Sequence, residues 1–295
     1  MTPSWRVALG LPRVALHLLV ALLVIACGFP FFSQATRDRL LRWWSRRVLA
    51  ICGVTVRLVV SPSDASGEAA IGHGKTGAML IMNHVSWIDI YVIHTLRAAR
   101  FVAKAEIAGW PLIGYLTART GTVFIERGKR HAVRAANHRV AAILAEGGFV
   151  AVFPEGTTSD GSTLLPFHAN LMQPVTAAAI PLVPAALRYV TRDGKPTRAT
   201  AYIGDTNLFE SIVTILRNAP ILAELHLLAA LDVNGRTRHE AAHAARTAIA
   251  NALGLPDHVE VQADAAAAAA QYLIPVSAFG GTRPETPRDP RDEPL

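Results

Sequence analysis

The chain has 295 residues, half of them apolar; that length allows one large domain with extensions, and that composition excludes disorder for the bulk. Its formal charge of +7 sits at the front: residues 1–60 carry eight arginines against one acid, Asp38, while the remainder holds 21 basic and 21 acidic residues. A basic, apolar front end on a neutral body points to an anionic membrane surface and away from nucleic acid, whose binders carry their cations on the domain itself.

In chain order, the first element is an apolar segment with no formal charge from Val14 to Phe32. It is just long enough to span a bilayer, although Gly28 and Pro30 weaken its end. A basic helix follows, with Arg37, Arg39, Arg42, Arg46 and Arg47 interleaved with Leu40, Trp44 and Val48 at i+4 spacing. Such a Trp-bearing amphipathic helix belongs at a membrane interface, and its arginines put this flank on the cytoplasmic side of an inner membrane. The competing reading is a lipoprotein-type cleavage before Cys27, against which the arginine-rich flank weighs. Cys27 and Cys52 both lie in apolar surroundings, so neither a disulfide framework nor a thiolate metal site is expected.

Residues 1–53 therefore read as a membrane-embedded helical pair, 54–255 as the main domain, and 256–295 as an alanine-rich stretch (264–270) running into a disordered Pro/charged tail. Within the domain, strands are expected at 54–60, 78–82, 100–103, 122–126, 149–153, 182–189, 199–203 and 221–231. Helices are expected at 88–98, 131–146, 169–179, 207–217 and 236–253. Residues 61–77 read as a Pro/Ser/Gly-rich loop. This alternation predicts an α/β fold, a central mixed sheet flanked by helices. Gly147-Gly148 should end the helix before them. Gly72-His73-Gly74-Lys75-Thr76 mimics a phosphate-binding loop, but Ala69 replaces its first glycine and a coil precedes it, so it reads as a plain loop.

Four stretches carry chemistry. Asn83-His84-Val85-Ser86-Trp87-Ile88-Asp89 follows the buried-type strand 78–82. An imidazole titrates near neutrality, and a carboxylate can hold its tautomer and stabilise its cation, so His84 and Asp89 form a candidate general-base pair. Residues five apart do not share a helical face, so His84 must precede the helix, with Asp89 in its first turns and Ser86 as a candidate N-cap. Phe153-Pro154-Glu155-Gly156-Thr157 ends another buried-type strand, where open α/β sheets place ligands. Lys104 and Arg127 end two further strands and suit a phosphate or carboxylate. Trp110-Pro111 with Gly114 reads as a helix start or as a wall for an acyl chain. Taken one at a time, these features also fit surface charges and polar turns.

Together the stretches resemble the glycerolipid acyltransferase family, best known for lysophosphatidic acid acyltransferase, over roughly residues 78–190. Asn83-His84…Asp89 resembles its catalytic block, Gly121…Phe124-Ile125-Glu126-Arg127 its second, Phe153-Pro154-Glu155-Gly156-Thr157 its third and Ile180-Pro181-Leu182-Val183-Pro184-Ala185 its fourth. The resemblance implies that His84, oriented by Asp89, deprotonates a lysolipid hydroxyl for attack on the thioester of acyl-CoA or acyl-carrier protein. Lys104, Arg127, Glu155, Gly156 and Thr157 would bind substrate, with backbone N–H groups near Gly156 facing the oxyanion. No metal and no cofactor is called for, only the acyl thioester as co-substrate, with membrane lipids as surroundings. Two departures bear on the acceptor: Thr158 stands where the family's third block has Arg, and Phe167-His168-Ala169-Asn170 where Phe-Lys/Arg-x-Gly is usual. They admit lyso-ornithine lipid beside 1-acyl-glycerol-3-phosphate. A non-catalytic lipid-binding scaffold on the same fold is the reading from another class. A serine hydrolase ranks below these, since there is no Gly-x-Ser-x-Gly elbow and Ser86 beside His84 lacks the setting of such a nucleophile.

Overall fold

The structure, a computed structural model, describes residues 4–72, 77–126 and 129–257. Two antiparallel helices come first, α1 (Ser4–Leu23) and α2 (Gln34–Ile51), joined by a π turn and a 3-10 turn. His17 of α1 stacks on Trp44 of α2 at 3.4 Å. Trp5, Leu9, Leu16, Leu19 and Leu23 stay exposed. Their spacings of four, seven, three and four put them on one outward stripe of α1. An exposed apolar stripe on a helix apolar and long enough to cross a bilayer marks the membrane-associated part of the chain.

The remaining described elements are β1 (Val54–Val60), α3 (Ala65–Gly72), β2 (Ala78–Met82), α4 (Asp89–Leu96), β3 (Arg100–Lys104), α5 (Ile113–Arg119), β4 (Val123–Ile125), α6 (Arg130–Ala145), β5 (Phe149–Val152), α7 (Gln173–Ala178), β6 (Leu182–Thr191), α8 (Leu208–Asn218), β7 (Ile221–Leu227) and α9 (Arg238–Leu253). Among the described residues the strands form one sheet in the order β1-β7-β6-β2-β5-β3-β4. β7 and β1 run against the other five, so the sheet is mixed, as expected. β2 lies at its centre and is buried on both faces, which explains its unbroken apolar sequence. Leu80 and Met82 join the core under α2, α4 and α8; Met79 and Ile81 join the core under α6, α7 and α9.

Local chemistry fixes the helix ends. Asn207 with Glu210 and Thr237 with Glu240 form capping boxes that start α8 and α9. Gly147, at φ +80°, closes α6 as expected.

Three expectations fail. Residues 61–77 contain α3 rather than only loop. Gly67 is what lets that helix dock: a Cβ there would sit 1.8 Å from the Leu228 carbonyl oxygen. Residues 199–203 are irregular, not a strand, because β6 already has neighbours on both sides and the free sheet edges are β1 and β4. The strand expected to run to 231 stops at Leu227. The loop mimic at 73–76 and the alanine-rich stretch and tail from 258 lie outside the described residues.

Candidate active site

The site forms where the central strand β2 ends, beside the ends of β5 and β3. Asn83 continues β2 by proxy: its side-chain Nδ2 donates to the Leu187 carbonyl at 2.9 Å and its Oδ1 accepts from the Leu187 amide at 2.8 Å. This buried amide pair pins the first residue of the loop to β6 before the chain turns. His84 then leaves the sheet, and α4 starts at Asp89, so the imidazole lies ahead of the helix as its spacing requires. Trp87 holds the far side of the loop by donating Nε1–H to Ser211 Oγ on α8 at 3.0 Å.

His84 Nδ1 and Asp89 Oδ2 are 2.8 Å apart. The carboxylate can only accept here, so Nδ1 carries the proton and Nε2 keeps its lone pair for a substrate proton. Asp89 is fully buried. Its Oδ2 also accepts from the amides of Val85 at 2.8 Å and Ser86 at 2.9 Å, and its Oδ1 accepts from the Tyr189 hydroxyl at 2.6 Å. Burial in front of this carboxylate pushes the Tyr189 hydroxyl well above its usual pKa, so it remains a donor. The imidazole stacks on Phe153 at 3.8 Å with an interplanar angle of 12°, which limits its rotation. Ser86 is not the N-cap: Ile88 occupies that place, and Ser86 Oγ is buried without a hydrogen-bond partner.

Glu155 braces the same loop from β5. Its Oε1 accepts from the His84 amide at 2.7 Å and its Oε2 from the Leu165 amide at 2.9 Å. Burial outweighs these two bonds and raises its pKa to about 7. An acid whose pKa rises on folding makes the folded state less stable as pH climbs from its ordinary value near 4.5 through 7. The cost at the alkaline end is about 3 kcal/mol. In Glu155→Gln that component of the slope should vanish; comparing the urea midpoints of the two proteins from pH 4.5 to 8 measures it, and parallel curves would remove the assignment.

Gly156 turns the chain at φ +68°, and its amide donates to the Phe153 carbonyl at 3.1 Å. That bond closes the turn beside the His84 loop. Thr157 follows on the same loop, half-buried. Thr158, at the position of the expected arginine, donates its hydroxyl to the Tyr202 carbonyl. Tyr202 in turn donates its amide to the Val85 carbonyl at 3.0 Å, and Arg198 pairs with Asp160 at 2.9 Å. The irregular 199–203 segment thus ties the His84 loop to the Glu155 loop. Lys104 ends β3 at the same edge of the sheet. Arg127 lies outside the described residues. A second buried histidine, His94, is a structural contrast: burial lowers its pKa to about 3, and its Nδ1 accepts from the Ala99 amide at 3.2 Å.

The acyltransferase family model matches residues 62–188. A lyso-ornithine lipid O-acyltransferase of Pseudomonas aeruginosa is 36% identical over 217 residues, 74% of this chain and 79% of the relative. The chain belongs to the acyltransferase family. A 1-acyl-sn-glycerol-3-phosphate acyltransferase of Neisseria gonorrhoeae is 40% identical over 136 residues, 46% of this chain and 53% of that one. The crystal structure of a 1-acyl-sn-glycerophosphate acyltransferase, PlsC, from Thermotoga maritima shares the fold, with a TM-score of 0.55 at 17% identity over 83% of this chain and 96% of its own.

Two residues of this acyltransferase escaped the motif reading. Tyr189 was seen only as part of a strand; its contact with Asp89 depends on the register of β6. Arg246 of α9 is buried, lies beyond the matched region, and donates to the Leu164 carbonyl at 3.1 Å and to Asp257 Oδ1 at 2.5 Å. Through Leu165 it supports Glu155, and so the backbone of His84. Arg246→Met should cost about 2 kcal/mol, the worth of charge-assisted bonds, and raise the Glu155 pKa further by removing a nearby cation. Urea unfolding at pH 6 and 8 tests both effects.

Proposed function

We propose that the chain is a 1-acyl-sn-glycerol-3-phosphate acyltransferase that makes phosphatidic acid at the cytoplasmic face of the inner membrane. The observation that carries the reading is the His84–Asp89 pair, with its free Nε2 edge at the end of the central strand. His84 Nε2 takes the proton from the acceptor hydroxyl as the oxygen attacks the thioester carbonyl. The tetrahedral intermediate collapses, the carbon–sulfur bond breaks, and the imidazolium returns its proton to the leaving thiolate. Asp89 keeps the ring in the reactive tautomer and offsets the positive charge that develops on it. Lys104 and Arg127 are the cations proposed to meet the acceptor phosphate, and Glu155, Gly156 and Thr157 shape the loop beside it. The donor is acyl-CoA or acyl-carrier protein.

A second acceptor, lyso-ornithine lipid, is favoured by Thr158, which is engaged with Tyr202 and supplies no cation where a phosphate would need one, and by His168, which stands where Lys or Arg is usual. The lyso-ornithine lipid O-acyltransferase of Pseudomonas also aligns over more of the chain than the Neisseria enzyme does. Membranes holding the protein, given one acyl-CoA and either acceptor, separate the two. Phosphatidic acid as the main product supports the first reading; product from lyso-ornithine lipid alone replaces it with the second. Product from neither acceptor, with either thioester donor, would favour a non-catalytic scaffold.

A further inference from the structure

A cleft of about 860 Å³ opens between the N-terminal turns of α1, the C-terminal turns of α2, the start of β1 and the end of α8. His84, Asp89, Glu155 and Tyr189 are not among its walls, so it is separate from the proposed reaction centre. Its size is that of a small-molecule site. Leu9, Ile51, Leu58, Leu96 and Pro220 give it apolar surface. Three arginines also line it, Arg6 and Arg13 from α1 and Arg46 from α2, and among the described lining residues there is no acid. Among the described residues Arg6 Nε is buried without a hydrogen-bond partner, its guanidinium carbon 5.5 Å from the Trp5 ring centroid, and Arg46 donates to the Thr95 carbonyl at 3.3 Å.

Arg13 and Arg46 are exposed and keep their remaining donors in water, but Arg6 Nε is not exposed, and three cations with no acid among the described lining residues leave a positive cleft that an anion would neutralise. The cleft also adjoins the exposed apolar stripe of α1, since Trp5 and Leu9 belong to both. A free inorganic anion would use the guanidinium groups and gain nothing from the leucines. A lipid with an anionic head uses both. We propose that this cleft binds one anionic phospholipid of the surrounding bilayer, its phosphate on Arg6, Arg13 and Arg46 and an acyl chain along Leu9, Leu58 and Leu96. The lipid would clamp the α1–α2 pair to the domain, whichever acceptor the enzyme uses.

The test is retention of lipid through detergent exchange, read as bound molecules per chain by native mass spectrometry of the full-length protein. The probes are phosphatidylglycerol, phosphatidylcholine and inorganic phosphate. Wild type should keep phosphatidylglycerol, not phosphatidylcholine, and millimolar phosphate should not displace it. The variant R6Q/R13Q/R46Q should retain it about a hundredfold less well, since each of three cations near an anionic lipid contributes about fivefold. R39Q/R42Q/R47Q removes the same charge from exposed positions of α2 outside the cleft and should retain it. Thr55→Trp fills the cleft from an exposed position of β1 without changing charge and should lose it; if the triple variant does not fold, this variant decides alone. Equal retention of phosphatidylcholine, equal loss in both triple variants, displacement by phosphate, or retention in Thr55→Trp would each overturn the proposal. None of these readouts needs turnover, so they stand or fall apart from the proposed reaction.

Discussion

Asp89→Ala should unfold the site, whereas Asp89→Asn should keep the fold and lose the reaction. The buried carboxylate accepts from His84 Nδ1, the Val85 and Ser86 amides and the Tyr189 hydroxyl. Alanine leaves these donors without a partner in the interior. At about 1–3 kcal/mol for each unsatisfied buried group, the loss should be roughly 2–6 kcal/mol even if water enters and serves two of them. Asparagine can keep the network. Its carbonyl takes the place of Oδ2, and its amide donates to the Tyr189 hydroxyl, which accepts as readily as it donates. The stability cost should then stay near about 1 kcal/mol. What asparagine lacks is the negative charge that favours the imidazolium, so turnover should fall by about a hundredfold or more. Urea denaturation and acyl-transfer rates on the same preparations separate the two effects. An Asp89→Asn protein with wild-type turnover would reduce Asp89 to a structural brace.

His84→Ala should do the reverse of Asp89→Ala: remove the reaction and leave the fold. The contacts that hold the His84 loop run through its main chain, with its amide on Glu155 and its carbonyl accepting from the Ser159 amide at 2.8 Å. Alanine keeps both. The side chain gives up its stack on Phe153 and its bond to Asp89, which together cost about 1–2 kcal/mol. The base itself is gone, and general-base catalysis is worth up to about ten-thousandfold. Thermal denaturation should show a shift of a few degrees at most for a domain of this size, in a protein that no longer turns over.

Much of this arrangement was legible in the sequence, for local reasons. Periodicity marked β2 and β5 because both are buried on two faces and so carry no polar residue. Gly147 marked the end of α6, whereas the N-cap expected at Ser86 fell to Ile88. The His84–Asp89 contact was legible because both residues lie within six positions, so one strand end and one helix start suffice to bring them together. The missing parts depend on distant pairing. Tyr189 meets Asp89 only because β6 runs beside β2 in the register that also seats Asn83 on Leu187. Arg246 meets the Glu155 loop only because α9 returns across β6. The 199–203 segment has strand-like alternation, yet β6, the strand before it, is already paired on both sides, and the segment ties two loops together instead.

The central claim is that His84 is the base that allows a lipid hydroxyl to attack a thioester. The most direct test follows free thiol and acylated lipid together in membranes containing wild-type or His84→Ala protein, supplied with acyl-CoA and a lysolipid acceptor. Wild type should release one thiol for each lipid formed, and His84→Ala, folded and membrane-bound, should produce neither above background. Matched thiol and lipid production by His84→Ala near the wild-type rate would contradict the account.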